Sequence, residues 1–298
     1  MRIATNSISD GIISQIQQLT SQQAKLQGEI SSGQRISQPE DDPAAVGRVL
    51  NLESEGRRVT QYGSNAASAL ETAQASFSGL SGIKKVSDRA GELATLGVGV
   101  MGSTAMKAYA TETNQLLEQA VQAANTQFNG NYIYAGTAVN SAPFSVTRDS
   151  SGQITSVSYA GNSAQAAIPL SEATSVTPST SGTTNAGLAT FINNLVSLRD
   201  ALNSGSPAAV SAAQPGLTTS ENLIISAIAD NGGVQMRIEA AQAQQAERST
   251  SINQLISSET SADLPSTIVK LNQNQTAYQA ALQSATIIMK LSLLDYIK

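Results

Sequence analysis

The 298 residues include no cysteine, no histidine and no tryptophan, and only 4% are aromatic. Without histidine or cysteine the chain has no imidazole base, no thiolate nucleophile and none of the usual zinc ligands, which leaves carboxylate, lysine or serine chemistry. Without cysteine there is no disulfide from which to read a compartment, although a thiol-free chain tolerates export without mispairing. So few aromatics argue against a wide, thick globular core. No stretch approaches about 18 consecutive apolar residues, so no membrane insertion is expected. The opening MRIATNSISDGIISQ lacks the charged region and sustained apolar run of a secretory signal, and the expectation is a chain that stays in the cytoplasm or leaves by a route that cleaves no signal. Seventeen basic residues stand against 22 acidic ones, a net charge of -5. The bases are dispersed apart from pairs such as Arg57-Arg58 and Lys84-Lys85, so no nucleic-acid partner is expected.

What is present is helix-forming. Apolar residues make up 40% of the chain, set among serine, threonine, glutamine, asparagine and glycine, a mixture suited to thin layers of packed helices. Ile12, Ile16, Leu19, Leu26 and Ile30 alternate at spacings of four and three, with Gln23 in the one polar slot. That is a heptad seam, and it predicts a narrow-striped helix stopping before Gly33, a residue suited to a left-handed cap. A second seam runs from Val49 through Gly56 and Gly63 to Leu80, and the two glycines at seam positions suggest close approach of a neighbouring backbone. After GVGVMGS at 97–103, Ser103 or Thr104 is placed to cap a third helix that stops at Asn129-Gly130. The glycines of GVGVMGS lack the lysine and preceding strand of a phosphate loop and are read as a helix break. From 131 the pattern alternates in β-branched and aromatic residues around Asp149-Ser150-Ser151-Gly152, a hairpin signal, followed by a polar loop at 171–185. Helical pattern returns at Leu188, is broken at Pro215-Gly216 and resumes from Gly233.

The last seam reads Leu264, Ile268, Leu271, Gln275, Tyr278, Leu282, Ala285, Met289. Two narrow stripes near opposite ends most simply pack on each other, and each is weak enough alone to stay unfolded until other copies cover it. Gln23 and Gln275 are the polar members expected to fix register and partner number. The last helix lacks the dense lysine and arginine of a membrane-lying helix, so burial against partner helices is the better reading.

Between the first two seams lies SSGQRISQPEDDPAAVGRVL, residues 31–50, with Glu40, Asp41 and Asp42 before Pro43. One reading is a carboxylate metal site serving a hydrolase, but no second acidic cluster accompanies it. The other makes Asp42 the helix N-cap and Pro43 the first helical residue, which needs no N–H partner, with the acids at the positive end of the helix. The second reading is favoured, and no cofactor is implied.

These residues resemble those of the bacterial flagellins and their hook-associated relatives. The stretch 30–52, with Ser32, Gly33, Arg35, Ile36, Asp41, Asp42 and Ala45, is similar to the family's link between its terminal helix and the next long helix. KKVSDRAGELATLG at 84–97 and the final helix 272–297 add to it. Within the family, IMKLSLLDYIK and NTQFNGNYIYAGT look like the junction type more than the filament type. The resemblance implies a mainly α, flagellin-like fold: a long antiparallel helical bundle, N- and C-terminal coiled-coil helices and a small β-rich central insertion. Its implied domains are 1–32 with 264–298, 33–130 with 187–263, and an outward-facing insertion at 131–186. It further implies a non-enzymatic structural protein, exported unfolded by the flagellar type III apparatus to the hook-filament junction. The implied partners are copies of the chain in a ring, the first hook-associated protein, flagellin and a cytoplasmic export chaperone on the C-terminal helices. The filament subunit is the alternative within the family, and a cytoplasmic coiled-coil scaffold the alternative outside it.

Overall fold

Among the described residues six helices carry most of the chain, in the order α1 Arg2–Ser32, α2 Pro43–Val98, α3 Ser103–Ala124, α4 Gly182–Asn203, α5 Pro207–Thr260 and α6 Leu264–Tyr296. The computed structural model describes residues 2–99 and 102–296, with the side chains of 2–9 and 288–296 left aside. Six short strands lie between α3 and α4: β1 Gln127–Phe128, β2 Asn131–Tyr132, β3 Phe144–Arg148, β4 Ile154–Tyr159, β5 Ile168–Pro169 and β6 Ser175–Val176. They pair as three separate antiparallel ribbons, β1 with β2, β3 with β4 and β5 with β6. The fold is mainly α. The chain divides into two compact units, residues 1–57 with 249–298 and residues 58–248, the divisions falling inside α2 and α5.

Among its described residues the larger unit has two apolar clusters. In the first, Leu80, Ile83, Val86 and Leu93 of α2 join Leu117 and Ala120 of α3, Leu188, Phe191, Ile192 and Leu195 of α4, and Ile224 of α5. Spacings of three and four on each helix put these residues on single stripes, which is how a chain poor in aromatics still closes a core. Phe144, Ile154 and Val157 of the β3–β4 hairpin cover one side of it. The hairpin is tied down by side-chain amides. Asn193 on α4 accepts from the Val157 N–H at 2.9 Å and donates to its carbonyl at 2.8 Å, and Asn125 does the same for Phe144, both at 3.0 Å. The second cluster sets Ala66, Ala69 and Ala73 of α2 against Ile238 of α5, with Leu170 and Val176 of the β5–β6 ribbon. That ribbon is also held by amides: Asn65 donates to the Pro169 carbonyl at 3.0 Å and Gln245 to the Leu170 carbonyl at 2.9 Å.

Several local expectations are corrected. Pro215 does not break a helix; it lies inside α5. Val210 and Leu217 on either side are buried in the core, and a Cβ at Gly216 would stand 3.0 Å from Asn194, whose amide donates to the Gly216 carbonyl at 2.9 Å. Packing therefore holds a helix that the proline disfavours. The cap of α3 is Gly102, with no side-chain hydrogen bond, and Ser103 and Thr104 lie within the helix. Asn129-Gly130 is not a helix stop: φ of 50° and 79° make it the two-residue turn of β1–β2. No neighbouring backbone lies within 4 Å of a Cβ built at Gly56 or Gly63, so close backbone approach does not explain those glycines within the chain.

In the smaller unit α1 packs along α6. The two terminal stripes, expected to pack on each other, thus meet within one chain.

Candidate functional site

The segment read as a joint, 33–42, is paired with a second connector, 261–263, between α5 and α6. Gly33 has φ +70° and its N–H donates to the Glu29 carbonyl at 2.8 Å, the left-handed stop of α1. Gln34 then forms an antiparallel bridge with Ser261, closed by Arg35 N–H to the Thr260 carbonyl at 2.7 Å and Ala262 N–H to the Gly33 carbonyl at 2.9 Å. The two connectors, near opposite ends of the chain, are thereby one structural feature.

Charges surround this bridge. Arg35 donates to Asp42 Oδ2 at 3.2 Å and to the Glu259 carbonyl at 2.9 Å. Arg48 holds the Glu259 carboxylate with two parallel bonds of 2.9 and 2.8 Å, the planar fork geometry that lysine cannot supply. Asp42 Oδ1 accepts from the Ala45 N–H at 3.0 Å, the N-cap geometry, with Pro43 opening α2. Asp41 accepts from Lys25 at 2.7 Å through Oδ1, and through Oδ2 from the Ser37 N–H, the Ser37 hydroxyl and the Gln38 N–H. These bonds hold the carboxyl of Asp41 well below the usual carboxylate range, Lys25 contributing most. Asp42 is lowered by the Ala45 N–H and then Arg35, and Glu259 by Arg48. Both aspartates are thus engaged with cations and backbone N–H groups. Among the described residues no group of three or more acidic side chains stands in a metal-holding arrangement. Glu259, Arg48 and Lys25 were not anticipated; nothing in local periodicity marks them.

The seam residues fall as follows. On α1, Ile12, Ile16, Leu19, Gln23 and Ile30 are half-buried and Leu26 is buried. On α6, Leu271, Gln275 and Tyr278 are half-buried, but Leu264, Ile268 and Leu282 stand 40%, 46% and 40% exposed. Met289 lies outside the described side chains. The face of α6 turned inward is instead Thr267, Leu271, Asn274, Tyr278, Ala281 and Ala285, again at spacings of four and three. Asn274 Nδ2 donates to Gln22 Oε1 at 3.4 Å, each one position before the seam glutamines Gln275 and Gln23. With the Gly33–Ala262 bond at one end and Gln22–Asn274 further along, α1 and α6 run antiparallel. Asp263 caps α6 through Ser266 N–H at 3.3 Å.

Residues 3–139 match the family model of the bacterial flagellin N-terminal helical region. The chain resembles the flagellin family. Flagellar hook-associated protein 3 of Salmonella typhimurium is 29% identical over 146 residues, 48% of this chain and 46% of that protein. The match thus spans about half the length of that relative. A Vibrio parahaemolyticus structure described as a flagellar hook-associated protein superposes with a TM-score of 0.66 at 19% identity, over 74% of this chain and 100% of that one. The flagellar junction protein FlgL of Legionella pneumophila gives 0.56 at 13% identity, over 72% and 100%. The fold is that of these flagellar proteins, and the flagellin-like reading of the sequence stands on both the family match and the structural likeness.

Proposed function

We propose that this chain is a structural adaptor of the bacterial flagellum, joining the first hook-associated protein to the flagellin filament, and that it is not an enzyme. The observation that carries the reading is the full-length superposition of a solved flagellar junction protein on this chain, supported by the sequence match to hook-associated protein 3. In this reading residues 1–32 and 264–298 form a terminal coiled-coil domain, 33–130 with 187–263 a helical bundle, and 131–186 an outward-facing insertion. Copies assemble as a ring through the terminal seams, and the exposed Leu264, Ile268 and Leu282 are the side chains that a neighbouring copy covers. The bridge of Arg35, Asp42, Arg48 and Glu259 ties the two connectors between those domains. Export is through the flagellar type III apparatus, with a cytoplasmic chaperone holding the C-terminal helices beforehand.

The test is made in cells. A strain lacking the chain should carry hooks without filaments and release flagellin into the medium, and antibody against the chain should label one band at the filament base. The match of residues 3–139 to a flagellin model supports a second reading, the filament subunit. Label along the whole filament, or elongation of the purified chain alone into long filaments, would decide for that alternative.

A further inference from the structure

Helix α6 carries two overlapping heptad seams that share Leu271, Tyr278 and Ala285. The face turned to α1 completes this set with Thr267, Asn274 and Ala281, and the adjacent face completes it with Ile268, Gln275 and Leu282. Two observations set the occupied face at a disadvantage. Asn274 is only 6% exposed and its Oδ1 has no hydrogen-bond partner among the described residues, whereas buried acceptors are ordinarily satisfied and an orphan is costly. Ile268 and Leu282, one position along from Thr267 and Ala281, remain 46% and 40% exposed, forgoing apolar burial. What favours the occupied face is size: Ala281, where the adjacent face has Leu282, lets α1 lie close, and the Thr267 hydroxyl is satisfied internally by the Asp263 carbonyl at 2.9 Å.

We propose that α6 is a two-register helix that rolls against α1, exchanging Thr267, Asn274 and Ala281 for Ile268, Gln275 and Leu282, and that Asn274 keeps the present register exchangeable. The roll frees the Asn274 carbonyl oxygen to solvent and covers Ile268 and Leu282, while Leu271, Tyr278 and Ala285 stay at the seam. A polar residue on a helix seam selecting among registers is well attested in coiled coils. The proposal rests on the pairing of α1 with α6 within one chain and stands apart from any role in the flagellum.

Because the chain has no cysteine, disulfide trapping reads the register without background. Taken in antiparallel order, the covered stripe of α1 (Leu19, Ile16, Ile12) meets that of α6 (Tyr278, Ala281, Ala285) layer by layer, which sets Ile16 against Ala281. A disulfide needs Cβ atoms about 3.8 Å apart, so Ile16→Cys with Ala281→Cys reports the present register and Ile16→Cys with Leu282→Cys the rolled one. In the full-length monomer under redox buffer both pairs should close, the first predominating, while the control pair Ile16→Cys with Ala280→Cys stays at background. Adding Asn274→Leu, which removes the orphan acceptor, should lower the 16–282 fraction relative to 16–281 by about tenfold. Ile268→Ser, at an exposed position that folding tolerates, should lower it in the same direction. A 16–282 pair no more reactive than the control, or a ratio unmoved by Ile268→Ser in protein of unchanged helix content, would overturn the proposal.

Discussion

Asp42 serves two elements with one carboxylate: Oδ1 caps α2 and Oδ2 receives Arg35. Its neighbour Asp41 orders the turn before it and anchors Lys25 of α1. The carboxyls of Asp41, Asp42 and Glu259 are all lowered in the folded chain. A lowered carboxyl contributes stability that is present above its unfolded value, about 4, and is lost as pH falls through the folded value. The joint should therefore hold unchanged from neutrality down to about pH 4 and loosen below it. Amide exchange at Arg35 and Ala262, followed against pH, checks this; protection that fell between pH 7 and 5 would contradict it. These groups are exposed, so salt should weaken the effect. A different residue-scale prediction concerns Asn193. Asn193→Leu leaves both backbone groups of Val157 without their partner, at a cost of about 2 kcal/mol in chemical denaturation. Asn193→Asp, which retains the acceptor and removes the donor, should cost less than leucine.

At the scale of elements, α5 is the least expected feature. Pro215 lacks an N–H for the Ser211 carbonyl, and an interior proline is disfavoured by about 3 kcal/mol relative to alanine. Pro215→Ala should raise the stability of residues 58–248 by about 1–3 kcal/mol, seen as a higher melting temperature. No gain would mean that the local geometry has already absorbed the proline. Pro215-Gly216 was unreadable as helix because local propensity points the other way and the compensating contacts, Asn194 and the core around Val210 and Leu217, come from distant sequence. The stops and starts around 33–43 were readable, since Gly33 and Asp42-Pro43 encode their own conformations. The pairing of Arg35 with Glu259 was not, because the two are 224 residues apart and no periodicity links them. The face of α6 turned to α1 is illegible in sequence for another reason. A search for large apolar residues selects Ile268 and Leu282, whereas α1 packs on a face whose small alanines permit closer approach. The amides that pin the β ribbons were likewise hidden, because an asparagine that reaches a strand backbone looks in sequence like any polar surface residue.

At the scale of the whole chain, the two compact units have separate means of support. Residues 58–248 contain both apolar clusters and all three β ribbons. The smaller unit holds the α1–α6 pair and the ends of α2 and α5, with Leu26, Ile36, Ala45 and Ile252 as its buried apolar side chains among those described. A helix of about 30 residues with a narrow stripe is marginal by itself in water, so α1 should depend on α6 far more than residues 58–248 depend on either. Deleting residues 275–298 removes the Tyr278, Ala281 and Ala285 layers that face the N-terminal half of α1. Hydrogen exchange should then rise about a hundredfold or more over residues 10–22, the loss of roughly 3 kcal/mol of local protection, while residues 58–248 keep their protection. If the proposed function holds, the same deletion abolishes assembly at the hook-filament junction in cells although the remaining chain is still made and folded. Equal loss of protection in both units would show that they fold as one cooperative body. Unchanged protection over 10–22 would show that α1 is held by something other than α6.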